Sequence, residues 1–230
     1  MTTAVILGMG GLGCPAALAI SEERPDLRLV LVDPDRVDRS NLARQILFRD
    51  EDVGRPKAEV AARRLRNAEP RVQRFDEQSA PELLRDAEVL LDGTDDFATR
   101  FLANDQALAR GVPLIHGAVL GWTGQLAIIL PGRTACLRCL FEGPPPPGSM
   151  PTCAEAGVLA PLCGLIGATM GLATVQMLDE KKLFFFWGAP EPGVLYRWDA
   201  RRGCERPLPL KRDPACAACA GAASYRERRS

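Results

Sequence analysis

The chain has 230 residues, 47% of them hydrophobic, which is enough for a sizeable buried core. Its 29 Lys and Arg are balanced by 29 Asp and Glu, so the composition creates no field that would draw nucleic acid or an anionic membrane surface. Eight cysteines, without the basic, apolar and small-residue order of a secretory signal, point to reduced thiols in the cytoplasm that bind metal or do chemistry.

Short β-rich runs alternate with helical patterns along the chain, which predicts an α/β fold: a Rossmann-like, mostly parallel sheet flanked by helices. Residues 4–7 read as a buried strand, and the run Gly8-Met-Gly10-Gly11-Leu-Gly13 turns it into a helix beginning near Cys14. A second strand over residues 27–32 ends at Asp33. A glycine turn followed about twenty residues later by an acid has the spacing of a dinucleotide-binding fold. Gly10 and Gly11 let backbone approach phosphate oxygens at a helix N-terminus, and Asp33 accepts from ribose hydroxyls. That much suits NAD as well as ATP.

Residues 57–67 carry apolar side chains at helical spacing, with Arg63, Arg64 and Arg66 on a solvated face. Further strands are predicted at 72–75, 88–91, 112–115 and 125–130, with a helix over Phe97–Arg110 joining two of them. The proline run within residues 143–149 suits neither helix nor strand and reads as a surface loop or crossover. Residues 157–178 hold no charge and resemble a membrane span. Gly157, Pro161, Gly164, Gly167 and Gly171 interrupt them, and Thr169, Thr174 and Gln176 are polar, which predicts a buried or subunit-interface helix instead. Late strands follow at 183–187 and 194–198, and residues 221–230 read as a flexible tail.

Three strings place charge around the glycine turn. The first is Asp33-Pro-Asp35-x-Val37-x-x-Ser40-Asn41-Leu42-x-Arg44-Gln45, the second Val53-Gly54-x-Pro56-Lys57, and the third Asp92-Gly-Thr94-Asp95-Asp96. Nucleotidyl transfer requires cations against the phosphates and an acid to hold magnesium. Arg44 and Lys57 suit the first task and Asp95, at a strand's carboxyl end, the second. Separately, Cys136-Leu-Arg-Cys139 and Cys216-Ala-Ala-Cys219 form two Cys-x-x-Cys pairs. One such pair alone could be a redox couple, whereas two complete the tetrahedral sulfur shell of structural zinc.

From Val5 to Cys219 these motifs resemble the ThiF/MoeB/HesA family, bacterial relatives of the ubiquitin-activating enzymes. The resemblance implies Mg-ATP-dependent adenylation of the C-terminal glycine of a small ubiquitin-like sulfur carrier ending in Gly-Gly, with release of pyrophosphate. The product would serve thiamine, molybdopterin or related sulfur-transfer biosynthesis. By the same resemblance, Gly11 and Asp33 hold phosphate and ribose within a site that also includes Gly8, Gly10, Gly13, Asp35, Ser40 and Asp96. Asn41, Arg44 and Lys57 surround the triphosphate, Asp95 coordinates magnesium, and the four paired cysteines hold structural zinc away from ATP.

Cys153 aligns with the cysteine that some members use for a covalent link to the carrier, while Cys14, Cys163 and Cys204 read as packing residues. The carrier's carboxylate is already ionised, so little acid-base chemistry is needed, and the one histidine, His116, reads as a packed or capping residue. The implied organisation is one adenylation domain over residues 1–220. Its nucleotide-binding part is about 1–130, and crossover loop, zinc site and interface helix follow over about 131–220. Family members are homodimers whose leading helix sends an arginine into the neighbouring ATP site. Only three residues precede the first strand here, so either the start is truncated or Arg39 or Arg49 substitutes. Sulfur delivery falls to a separate sulfurtransferase or cysteine desulfurase. The competing readings are an NAD-dependent oxidoreductase, which lacks a convincing hydride-transfer acid or base, and a noncatalytic module that binds a ubiquitin-like protein.

Overall fold

Uninterrupted aliphatic runs form strands covered on both faces, because no side of such a strand can meet water. β1 (Thr3–Leu7) and β4 (Val89–Asp92) are buried at every residue, and β2 (Arg28–Val32) at all but its first. The computed structural model describes residues 2–141, 143–146, 149, 153–179 and 190–222, without the side chains of residues 153 and 154.

The remaining elements in chain order are α1 (Gly13–Glu23), α2 (Lys57–Arg64), β3 (Ala68–Arg71), α3 (Ala80–Leu83) and α4 (Phe97–Arg110). Then come β5 (Leu114–Leu120), β6 (Thr123–Ile129), α5 (Leu137–Leu140), α6 (Cys153–Ala156), α7 (Ala160–Asp179), β7 (Val194–Asp199) and β8 (Cys204–Pro209).

The described strands form one sheet in the order β3-β2-β1-β4-β5-β6-β7-β8. The first five run parallel and the last three join antiparallel. One face packs on α1, α2 and α7, the other on α3, α4 and α5. The chain leaves β1 for one neighbour and later returns to its other side as β4, so the connections after these two strands diverge and leave a crevice at their carboxyl ends.

α7 is long and apolar enough to cross a membrane by length and composition, and here it lies against α1 and the sheet. Its glycines allow the approach. A Cβ on Gly167 would stand 2.4 Å from the Leu12 carbonyl oxygen, and one on Gly171 would stand 2.6 Å from that of Ala16. The expected helix is therefore present, with the side facing α1 and the sheet buried.

The helix predicted to Asn67 stops at Arg64, and the strand expected at 72–75 lies earlier, at β3. Asn67 takes a left-handed φ of +50°, and Pro70 has no donor for a helix, but as an edge residue beside Leu31 it is tolerated. β5 starts later than expected and runs past His116 to Leu120, because residues 114–120 pair with β6 along their whole length. α4 matches its prediction because both ends are capped: Asp96 accepts from the Thr99 N–H at 2.7 Å, and Gly111 closes the helix at φ +69°. β8 was not foreseen, since Pro207 and Pro209 argue against strand except at an edge. The predicted strand at 183–187 and most of the predicted tail lie outside the described residues.

Candidate active site

At the β1/β4 crevice lies a cavity of about 730 Å³. Gly8, Gly10 and Gly11 line its floor, with Asp33, Asp35, Asn41, Arg44 and Lys57 on one side and Asp95 and Asp96 on the other. The three charged strings noted in the sequence thus meet in one place.

The glycine turn has little latitude. Gly8 has φ +82°, and a Cβ on Gly13 would stand 1.8 Å from the Gly8 carbonyl oxygen, so Gly13 shapes the turn from beneath and does not line the cavity. The turn is tied to β2 by Asp33, whose Oδ2 accepts from the Met9 N–H at 2.6 Å and whose Oδ1 accepts from the Asp35 N–H at 2.7 Å. Burial pushes the Asp33 carboxyl above the usual carboxylate range, and Lys57 opposes that rise in part. Each oxygen retains acceptor capacity toward the cavity.

Lys57, the first residue of α2, is buried, and its Nζ reaches the exposed Asp35 at 3.0 Å. Arg44 is steadied by donation to Asn41 Oδ1 and, at 3.5 Å, to the Ser40 carbonyl. Ser40 turns its hydroxyl to Asp38 at 2.6 Å and does not line the cavity. Arg39 and Arg49 are exposed, pair with Asp50 and Glu51, and line no part of it either.

On the opposite wall the loop after β4 is pinned at both ends. Asp92, wholly buried, accepts from Thr94 N and Oγ1 at 3.1 and 2.7 Å, and Arg100 donates to the Thr94 carbonyl at 2.7 and 3.1 Å. His116 beside it holds the Asp92 carboxyl below the usual range against the opposing effect of burial, which is the larger single influence. Asp96 caps α4. Between these anchors Asp95 is exposed to the cavity, a hard oxygen donor of the kind that holds Mg²⁺ together with substrate phosphates.

Several lining residues had no assigned role in the sequence. Gln45 is 4% exposed, and its Oε1 has no hydrogen-bond partner among the described residues. Residues 73–77 line the outer wall because the strand expected there is a loop. The signal for that loop is Asp76, which accepts from the Gln78 and Ser79 N–H groups as an Asx turn. Cys163 of α7 also lines the cavity, with its Sγ 3.3 Å from where a Gly11 Cβ would be. Cys14 is a packing residue, its thiol pushed up to about 12 by burial. Cys153 opens α6, and its side chain lies outside the described set.

Away from the cavity the four paired cysteines converge, all four Sγ atoms lying within 4.8 Å of one another. Neighbouring Sγ atoms are 3.9 Å (Cys136–Cys139), 3.8 Å (Cys136–Cys216) and 3.5 Å (Cys139–Cys219) apart. A tetrahedron with Zn–S bonds of about 2.3 Å has edges of about 3.8 Å, so the donor set fits zinc. Its supports are in place: Asn104 Oδ1 accepts from the Leu137 N–H at 3.0 Å, Arg138 pairs with Asp105 at 2.7 Å, and Arg212 donates to the Cys219 carbonyl at 2.6 Å.

The ThiF family model matches residues 1–217. The chain is 38% identical to a sulfur carrier protein adenylyltransferase of Thermus thermophilus, over 97% of its length and 84% of that protein's. It is likewise 38% identical to a SAMP-activating enzyme E1 of Haloferax volcanii, over 94% of this chain and 79% of the relative. Among solved structures, E. coli MccB with ATP superposes with a TM-score of 0.79 at 18% identity, over 96% of this chain and 67% of that one, a likeness of fold.

Proposed function

Because the chain belongs to the ThiF family, we propose that it is a magnesium- and ATP-dependent adenylyltransferase acting on a small ubiquitin-like sulfur carrier. The observation that carries this reading is the single cavity in which Asp33, Arg44, Lys57 and Asp95 meet at the β1/β4 switch point. Arg44 and Lys57 favour a triphosphate over NAD, since two cations on one wall suit a dense run of phosphate charge. Sulfur-carrier activation for thiamine, molybdopterin or a related product is the expected setting, with sulfur supplied by a separate protein, in a cytoplasmic homodimer.

The chemistry asks for alignment and charge stabilisation. The carrier's terminal carboxylate oxygen forms a bond to the α-phosphorus, and the bond from that phosphorus to the bridging oxygen breaks, so both electrons leave with pyrophosphate. Asp33 orients the ribose. The glycine turn offers backbone N–H groups to phosphate, and Arg44 and Lys57 counter the charge growing on the leaving group. Magnesium, when bound, neutralises phosphate charge, and Asp95 is the side chain that would hold it.

The test is carrier-dependent ATP–pyrophosphate exchange with candidate carriers, with and without the terminal Gly-Gly. Exchange with the intact tail alone is the expected result, and none with any carrier removes the assignment. Gln45 gives a second check. An orphaned buried acceptor costs about 1–3 kcal/mol, so Gln45→Met, which keeps the volume, is expected to stabilise the nucleotide-free protein by about 1 kcal/mol while weakening ATP binding about tenfold. Thermal unfolding and equilibrium titration read the two effects.

A further inference from the structure

His116 has no chemical task in this mechanism, yet it partners a wholly buried carboxylate. Asp92 closes β4 and stands in register with His116 of β5, the two side chains meeting Nδ1 to Oδ2 at 2.8 Å. An ionised carboxylate only accepts, so Nδ1 carries the proton and donates. The Gln125 amide nitrogen approaches Nε2 at 3.4 Å, which suits an unprotonated Nε2. The other Asp92 oxygen takes both the N–H and the hydroxyl of Thr94, and Arg100 grips the Thr94 carbonyl. The next residue is Asp95.

We propose that His116 is a positioning residue for the metal-binding carboxylate, holding Asp95 in place through Asp92 and Thr94 across the two central strands. The proposal rests on the reading of Asp95 as the magnesium ligand. Without the Nδ1 donor, one oxygen of a fully buried charge loses the hydrogen-bond partner it has among the described residues. The carboxyl then protonates or turns, its hold on Thr94 loosens, and Asp95 loses a fixed position in an otherwise clamped loop. Outer-shell partners of this kind typically change metal affinity by about 10–100-fold.

The test compares His116→Leu, which keeps bulk and removes the donor, with His116→Asn, whose amide nitrogen takes the place of Nδ1. The measured quantity is the gain in affinity for the ATP analogue AMPCPP on adding Mn²⁺, read by equilibrium titration of the whole chain. His116→Leu is expected to reduce that gain about tenfold with metal-free AMPCPP binding unchanged, and His116→Asn to retain it within about twofold. An undiminished gain in His116→Leu overturns the proposal, and an equal loss in His116→Asn assigns the residue to packing. Thr94→Val removes the hydroxyl half of the Asp92–Thr94 link without touching the strands and keeps the Thr94 N–H on Asp92, so it is expected to lose a smaller part of the gain than His116→Leu. Wild-type protein that gains nothing from Mn²⁺ removes the reading of Asp95 and this inference with it. A wild-type gain matched by all variants removes only the inference.

Discussion

Replacing Asp95 with alanine is expected to lower carrier-dependent ATP–pyrophosphate exchange by about 10³-fold and to leave the fold unchanged. A magnesium ion at transferring phosphates stabilises the transition state by several kcal/mol, which is the size of that loss. Stability is spared because Asp95 is exposed, and its neighbours carry the loop: Asp92 and Arg100 hold Thr94, and Asp96 caps α4. Surface changes away from such anchors shift stability by about 0.5 kcal/mol or less. Exchange kinetics and a thermal unfolding curve on the same preparation check both halves. Metal-free nucleotide binding should persist, since Asp33, Arg44 and Lys57 stand on the other wall. Exchange at the wild-type rate in this variant would refute the assignment of magnesium to Asp95.

How much of this site was legible in the sequence depends on whether its parts are local. The glycine turn, Asp33, Lys57 and Asp95 each follow or open a regular element, and elements of strong apolar pattern announce their ends. The wall at residues 73–77 was hidden because Val72 and Phe75 are strand-favouring residue types in a short run, while Asn67 and Pro70 had already ended the helix and placed the strand earlier. The partner of His116 was invisible for a different reason. Asp92 lies 24 residues away, and only the parallel register of β4 and β5 makes them neighbours. Cys163 likewise reads as one more small residue of an apolar helix until the packing of α7 on α1 brings it beneath Gly11. Long-range pairing, which no local spacing encodes, thus supplied the residues that support the site, and local motif supplied those offered to the ligand.

Emptying the four-cysteine shell, whose geometry fits zinc, is the other change of large expected effect, and it acts on stability. The four sulfurs join segments 80 residues apart in sequence, bringing the turn at Cys136–Cys139 against that at Cys216–Cys219. Cys136, Cys216 and Cys219 are buried in the core layer shared with α4, so an emptied shell leaves polar thiols packed together and removes the link between the two cysteine turns. Burial pushes the Cys136 thiol well above its usual value, so a bound metal is what favours its thiolate there. Cys139→Ser is expected to destabilise the protein by about 3–5 kcal/mol, lowering Tm by about 10 °C, and to release one zinc per chain. Metal analysis and unfolding with and without a chelator measure this. The opposing possibility is a redox pair, for which the sulfurs, now 3.5 Å apart or more, would have to close to about 2.05 Å. Under that alternative the wild-type protein would carry no zinc, and its Tm would respond to reductant and not to chelator. Under the zinc reading the dependences are reversed, and Asp95→Ala keeps its full zinc content because the two sites share no ligand.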